Sequence, residues 1–171
     1  YQVLSQDKSE CRVLTAVLPG DILVEYETAV RAAGYEPGVV LPSSLAALAV
    51  LDSTEPVLSA CLSGMSLTTS ITSGQDLLLY RTLELPEDHS QRLSEVQRDI
   101  AVAAAYFEDK LASRPRQLYY GGIGTAPDFA HWIKDPELEV VEMAPRPTTG
   151  ATTTMGNLGM AGITGALAGA R

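Results

Sequence analysis

The chain has 171 residues, 46% of them hydrophobic, and its formal net charge is −9. That length and apolar content allow a buried core in one domain or two small ones, which excludes disorder for most of the chain. An acidic chain without a cluster of Lys and Arg lacks the cations that neutralise phosphates, so we expect no nucleic-acid binding. No apolar run approaches the roughly 20 residues that span a bilayer, so we expect a soluble, cytoplasmic mixed α/β protein and not a membrane-spanning one.

The first elements are a predicted strand followed by a helix. β-Forming residues fill positions 11–18, and Pro19 and Gly20 end this strand before Asp21, the expected helix N-cap. Apolar residues then recur at helical spacing as far as Gly34, which stands where a left-handed C-cap residue belongs.

A second strand and a second helix are predicted directly afterwards. Residues 38–41 are a short apolar run that indicates a buried strand, and Ser43 or Ser44 caps a short apolar helix that continues to Leu51. The order strand, helix, strand, helix favours parallel pairing with helical crossovers.

Three strands in close succession form a predicted antiparallel meander. They cover residues 57–62, 66–72 and 77–83. In the middle strand, two Ser and a Thr alternate with Leu, Thr and Ile, which is typical of a sheet with one buried and one solvated face. We therefore expect these hydroxyl side chains to face water.

The longest helix is predicted to begin near Asp88, with six apolar side chains along one face. These are Leu93, Val96, Ile100, Ala103, Phe107 and Leu111.

A strand over 117–120 follows, then a turn of glycines, and Thr125 with Asp128 indicates a capping box that opens another helix. Three further elements are predicted after it: a strand over 138–141, a Pro/Thr-rich loop over 144–154 and a helix of small residues over 158–167.

Neither the cysteines nor the histidines form a pattern that predicts chemistry. Cys11 and Cys61 lie in apolar, strand-like runs, so we interpret both as small buried hydrophobes, with a disulfide between them as the alternative. His89 and His131 have no second His or Cys at ligand spacing, so we interpret both as surface residues. The sequence therefore predicts no metal site and no catalytic residue.

The turn after the strand 117–120 is the first candidate for a nucleotide-binding site. Gly121, Gly122 and Gly124 let the backbone pass close to a ligand, and Thr125 opens a helix whose amides can donate to phosphate or ribose oxygens. On spacing alone, a plain tight turn between a strand and a helix explains the same residues.

The second candidate is the turn between the first two strands of the meander. Gly64, Ser66 and Thr68 form a hairpin rich in hydroxyl groups, and such a hairpin can curl round a phosphate. The alternative is that Ser66 and Thr68 belong to the solvated face of an antiparallel sheet.

The order of these elements resembles the later half of an actin-like, ribonuclease-H-like ATPase fold. Within that superfamily the chain most resembles pilus-assembly proteins of the PilM kind and the related cytoplasmic domain of type II secretion L proteins. The similar segments are 13–19, 32–37, 39–48, 58–83 with Arg81, 105–107, 118–124 and 160–167. The resemblance implies that 1–54 end the first actin-like subdomain, that 55–171 form the second, and that the first phosphate loop lies upstream of Tyr1.

The resemblance also implies a function. It implies a cytoplasmic scaffold of a bacterial type IV pilus or secretion assembly, whose partner is the short cytoplasmic tail of an inner-membrane assembly protein. ATP with magnesium is the family's cofactor, but the acidic residue that usually opens the second phosphate loop is absent from 59–64. We therefore expect a degenerate nucleotide site. An active ATPase or sugar-kinase-like phosphotransferase of the same superfold is the alternative, and a plain α/β interaction module is the third hypothesis.

Overall fold

The computed structural model of the chain describes most of the sequence. It covers residues 1–51 and 53–144, and after them Gly162, Thr164 and Ala166 alone. The predicted Pro/Thr-rich loop lies outside the described residues apart from its first position. The predicted terminal helix is described at those three single positions, and all three are helical.

The chain divides into two compact units, 1–42 and 43–171. Each unit has its own strands and helices, and the candidate site residues all belong to the second. Among the described residues, no helix combines the length and the apolar character that crossing a bilayer requires.

The first unit contains a hairpin and a helix. Strands β1 (Gln2–Gln6) and β2 (Cys11–Leu14) pair antiparallel, and helix α1 spans Gly20–Ala32. β2 ends earlier than predicted because β1 pairs with it only as far as Leu14, which lies opposite Gln2.

Three predictions for the first unit are wrong and one is confirmed. The predicted parallel pairing is not found among the described residues, since β1 and β2 pair antiparallel. Asp21 does not cap α1, because the N-cap position is Pro19, which makes no side-chain hydrogen bond, and Asp21 lies in the first turn. Residues 38–41 form no strand, since no described strand pairs with them. Gly34 does follow the end of α1 in the left-handed region, with φ of +86°.

The described part of the second unit is a five-stranded mixed sheet with helices. Its strands are β3 (Pro56–Ser63), β4 (Ser66–Ser73), β5 (Asp76–Glu84), β6 (Gln117–Gly122) and β7 (Glu139–Glu142). Its helices are α2 (Ser43–Ala47), which a 3₁₀ turn extends over Leu48–Val50, α3 (His89–Leu111) and α4 (Ala126–Ile133). The strand order is β5-β4-β3-β6-β7; β3 to β5 are antiparallel, and β6 and β7 continue the sheet in parallel. The predicted meander, with the strand 117–120 in the same sheet, is confirmed.

Local sequence explains where these elements begin. Both hairpins have two-residue turns whose first residue is a glycine, Gly64 or Gly74, with φ of +57°. Only glycine takes that conformation without strain, so these residues set the register of the meander. Asp88 caps α3 by accepting a hydrogen bond from Gln91 N–H at 2.9 Å, which confirms the predicted start of the longest helix.

The main core lies between one face of the sheet and helices α3 and α4. The side chains that the sheet contributes include Leu58, Leu67, Ile71 and Leu118, each at most 1% exposed. Those of α3 include Val96, Ile100, Ala103 and Phe107, which belong to its predicted apolar stripe. Burying a large apolar side chain contributes roughly 1.5–3 kcal/mol, so this layer contributes most of the stabilisation of the second unit.

The opposite face of the sheet is also buried along β3 and most of β4, so the predicted solvated face is wrong there. Thr68 and Ser70 are 6% and 3% exposed, because α2 and its 3₁₀ turn pack on this side of the sheet. Their hydroxyls pair across strands instead of with water. Ser59 Oγ lies 2.6 Å from Ser70 Oγ, and Thr68 Oγ1 lies 3.0 Å from Thr82 Oγ1. A buried hydroxyl without a partner would cost about 1–3 kcal/mol, so the alternating Ser and Thr form a paired ladder.

One carboxylate is buried inside the main core. Asp99 lies on the apolar face of α3, and its side chain is 1% exposed. It accepts a hydrogen bond from Thr69 Oγ1 at 2.9 Å, and Arg81 Nη2 lies 2.5 Å from its other oxygen. No aligned hydrogen bond from a described residue reaches that second oxygen, so the charge of Arg81 balances it. Thr69 and Arg81 are opposite each other in β4 and β5, so this group joins α3 to two strands.

We expect Asp99→Ala to lower the free energy of unfolding by about 2 kcal/mol, because Thr69 loses its buried partner and Arg81 its counterion. The expected loss of stability is smaller than for a fully buried ion pair, because the Arg81 side chain is 40% exposed and water can solvate its charge in the variant. Urea unfolding followed by the fluorescence of the single tryptophan, Trp132, measures it. Asp109→Ala, at an exposed position of the same helix, is the matched control and should change stability by at most about 0.5 kcal/mol. Equal losses in both variants would contradict the structural role of Asp99.

Candidate functional site

The two glycine turns of the second unit follow neighbouring strands at the same edge of the sheet, the edge that the carboxyl ends of β3 and β6 form. β3 and β6 run parallel, with Leu62 opposite Gly122, so the turns that follow these strands leave the sheet at the same end. Ile123 N–H donates to Leu62 O at 3.1 Å and links the two strand ends. Ligands of open α/β sheets bind outside the carboxyl ends of parallel strands, so this edge is the candidate site.

A small pocket of about 80 Å³ opens at this edge. Its described lining combines hydroxyl, thiol, apolar and glycine residues: Ser43, Ser44, Ala47, Cys61, Leu62, Ser63, Gly121, Gly122, Ile123 and Gly162. Two of the predicted site residues, Gly121 and Gly122, are among them. The structure therefore brings the first glycine turn to the pocket together with the end of β3.

Sequence reasoning missed the serines and the cysteine of the pocket. Ser43 and Ser44 are predicted from the sequence as helix caps and Cys61 as a core residue, so no signal marks them as pocket residues. Ser63 directly precedes Gly64 in the second turn, and that adjacency is the one signal that could have found it.

The other predicted site residues are absent from the pocket's described lining. They are Gly64, Ser66, Thr68, Gly124 and Thr125. The hydroxyl of Thr68 is paired with that of Thr82, and Thr125 Oγ1 lies 2.6 Å from Asp128 Oδ2. Thr125 and Asp128 form the predicted capping box of α4, which is confirmed and accounts for Thr125 without a ligand.

Gly122 has a structural reason to be glycine. Its φ is +131°, and a Cβ built there would lie 2.1 Å from Leu62 O and 2.7 Å from Leu62 N. Backbone atoms cannot move aside as a flexible side chain can, so the packing of β6 on β3 by itself requires glycine. A Cβ on Gly64 or Gly124 would meet no backbone atom within 4 Å. The interpretation as a tight turn therefore explains Gly122.

The described lining of the pocket is uncharged. None of these residues is Asp, Glu, Lys or Arg. Burial raises the pKa of the Cys61 thiol to about 11. Burial also raises the pKa of the Tyr80 phenol, whose oxygen lies 2.7 Å from Ser44 Oγ at the pocket. At pH 7 these groups are neutral, and they supply neither a cation for a phosphate nor a carboxylate for a metal.

The described residues do not fit the magnesium nucleotide that the family resemblance implies. Phosphoryl-transfer sites balance phosphate charge with cations and bound metal, and carboxylates hold that metal. Pockets for such ligands are typically about 300–1,000 Å³, well above the volume here. Over the ranges that the structure describes, no three His, Cys, Asp or Glu side chains come together to hold a metal ion.

The cysteines and histidines lie partly as predicted. Cys61 is buried, but Cys11 is exposed, because β2 belongs to a two-stranded sheet that leaves this residue accessible. Both cysteines are free thiols. His89 and His131 are exposed, and His89 lies edge-on to Trp132 with 6.2 Å between ring centroids.

Comparison with known proteins gives a likeness of fold. No protein-family model and no curated protein matches the sequence. Among solved structures, a chain of the PilM-PilN type IV pilus biogenesis complex aligns with 89% of this chain, at a TM-score of 0.57 and 18% sequence identity. This protein has an actin-like ATPase fold. The alignment covers 59% of the length of the PilM-PilN chain. The predicted resemblance is confirmed at the level of the fold.

Two further solved structures are more distant. The ethanolamine utilization protein EutJ from Carboxydothermus hydrogenoformans aligns with 78% of this chain and 57% of its own, at a TM-score of 0.46 and 12% identity. A ROK hexokinase from Thermus thermophilus aligns with 51% of this chain and 33% of its own, at a TM-score of 0.34 and 16% identity. At these scores neither likeness bears on function.

We expect Gly122→Ala to destabilise the protein by about 3 kcal/mol or more, because its Cβ overlaps the backbone of Leu62 in a conformation that side chains avoid. Gly64→Ala is the matched variant. It also needs a positive φ but meets open space, so it should cost about 1–2 kcal/mol. Urea unfolding of both variants measures the difference, and equal losses would contradict the close approach of the two strands. A substitution at Gly122 therefore cannot separate ligand binding from folding.

We expect one thiol to react quickly with a disulfide reagent at pH 8, and the second only after unfolding. Cys11 is exposed, whereas a thiol with a pKa of about 11 is only about 0.1% thiolate at that pH. The folded pKa of Cys61 lies above its ordinary value of 9.0, so burial favours the protonated form. That contribution to stability is present below pH 9 and is lost as the pH rises to about 11. Cys11→Ser should remove the fast reaction, and a fast reaction left in that variant would show Cys61 to be accessible.

Proposed function

We propose that this protein acts as a cytoplasmic scaffold in a bacterial type IV pilus or secretion assembly, with an actin-like fold whose nucleotide site is degenerate. The uncharged pocket at the glycine turns carries the proposal. A phosphoryl-transfer site without positioned cations or metal-holding carboxylates lacks its principal source of charge neutralisation. The fold likeness to a chain of the PilM-PilN complex supports the pilus assembly as the setting.

The proposed partner is the short cytoplasmic tail of an inner-membrane assembly protein. The solved neighbour is a complex of PilM with PilN, which supports a protein partner by analogy of fold. In the proposed domain organisation, residues 1–54 end the first actin-like subdomain and 55–171 form the second. The structure divides the chain into its two compact units after Pro42.

An active ATPase or sugar-kinase-like phosphotransferase of the same superfold is the second candidate. The observation in its favour is that both glycine turns leave the sheet at one edge, where nucleotides bind in α/β folds. On this alternative, the charged groups of the site come from residues other than the described lining of the pocket.

We expect the purified chain to release no phosphate from ATP above background, with or without magnesium, and to bind one of a panel of synthetic tail peptides. The panel represents the cytoplasmic tails of inner-membrane pilus and secretion proteins that the same genome encodes. Titration calorimetry measures each affinity, with and without magnesium and ATP. A degenerate site binds no nucleotide, so we expect ATP to change the peptide affinity by less than about twofold.

Two results would count against this function. Magnesium-dependent phosphate release that falls in Ser63→Ala, but not in Ser113→Ala, would favour the second candidate, because Ser63 lines the pocket and Ser113 is exposed beyond α3. Failure of the native chain to bind any tail peptide would remove the proposed partner.

A further inference from the structure

We draw no further inference here: the strongest candidate, the exposed apolar face of α1 in the first unit, on which Tyr26 and Val30 lie, carries no proposal because nothing in the described part of the structure shows what covers it.

Discussion

The close approach of β3 and β6 at Leu62 and Gly122 is the constraint on which the rest of the second unit depends. Because Gly122 has no side chain, the two backbones come near enough for β6 to extend the meander in parallel. The pairing of β6 with β3 leaves Tyr120 in the core, where it stacks on Phe129 of α4 with 4.3 Å between ring centroids. It also brings both glycine turns to one edge, so the candidate site is a consequence of strand packing.

Polar side chains buried on both faces of the sheet orient the layers that cover it. On one face, Asp99 of α3 is held by Thr69 and Arg81 of neighbouring strands. On the other, paired Ser and Thr hydroxyls cross from strand to strand. Apolar packing alone would tolerate several rotations of α3 on the sheet, whereas a buried carboxylate is satisfied in one of them. We interpret these groups as selecting one arrangement more than as adding stability.

The described residues that line the pocket at the glycine turns are uncharged, and that property distinguishes the two functions considered for the fold. The described residues at the glycine turns are neutral and enclose little space, which disfavours a triphosphate with its metal. The glycine turns nevertheless leave the sheet at the carboxyl ends of β3 and β6, where open α/β sheets bind ligands.

The sequence by itself determined the local elements and the fold class. Period-two alternation, turn glycines and capping residues such as Asp88 and Thr125 act over a few residues, so the meander, α3 and α4 could be predicted from them. Of the candidate site, Gly121 and Gly122 were found, but Ser43, Ser44, Cys61 and Ser63 were not, because residues distant along the chain line one pocket only after folding. Which face of the meander is buried, whether residues 38–41 find a strand partner, and why Gly122 is glycine depend on what packs against them. Tertiary structure alone decided these points, since burial and close approach are properties of two surfaces, and a sequence pattern describes only one of them.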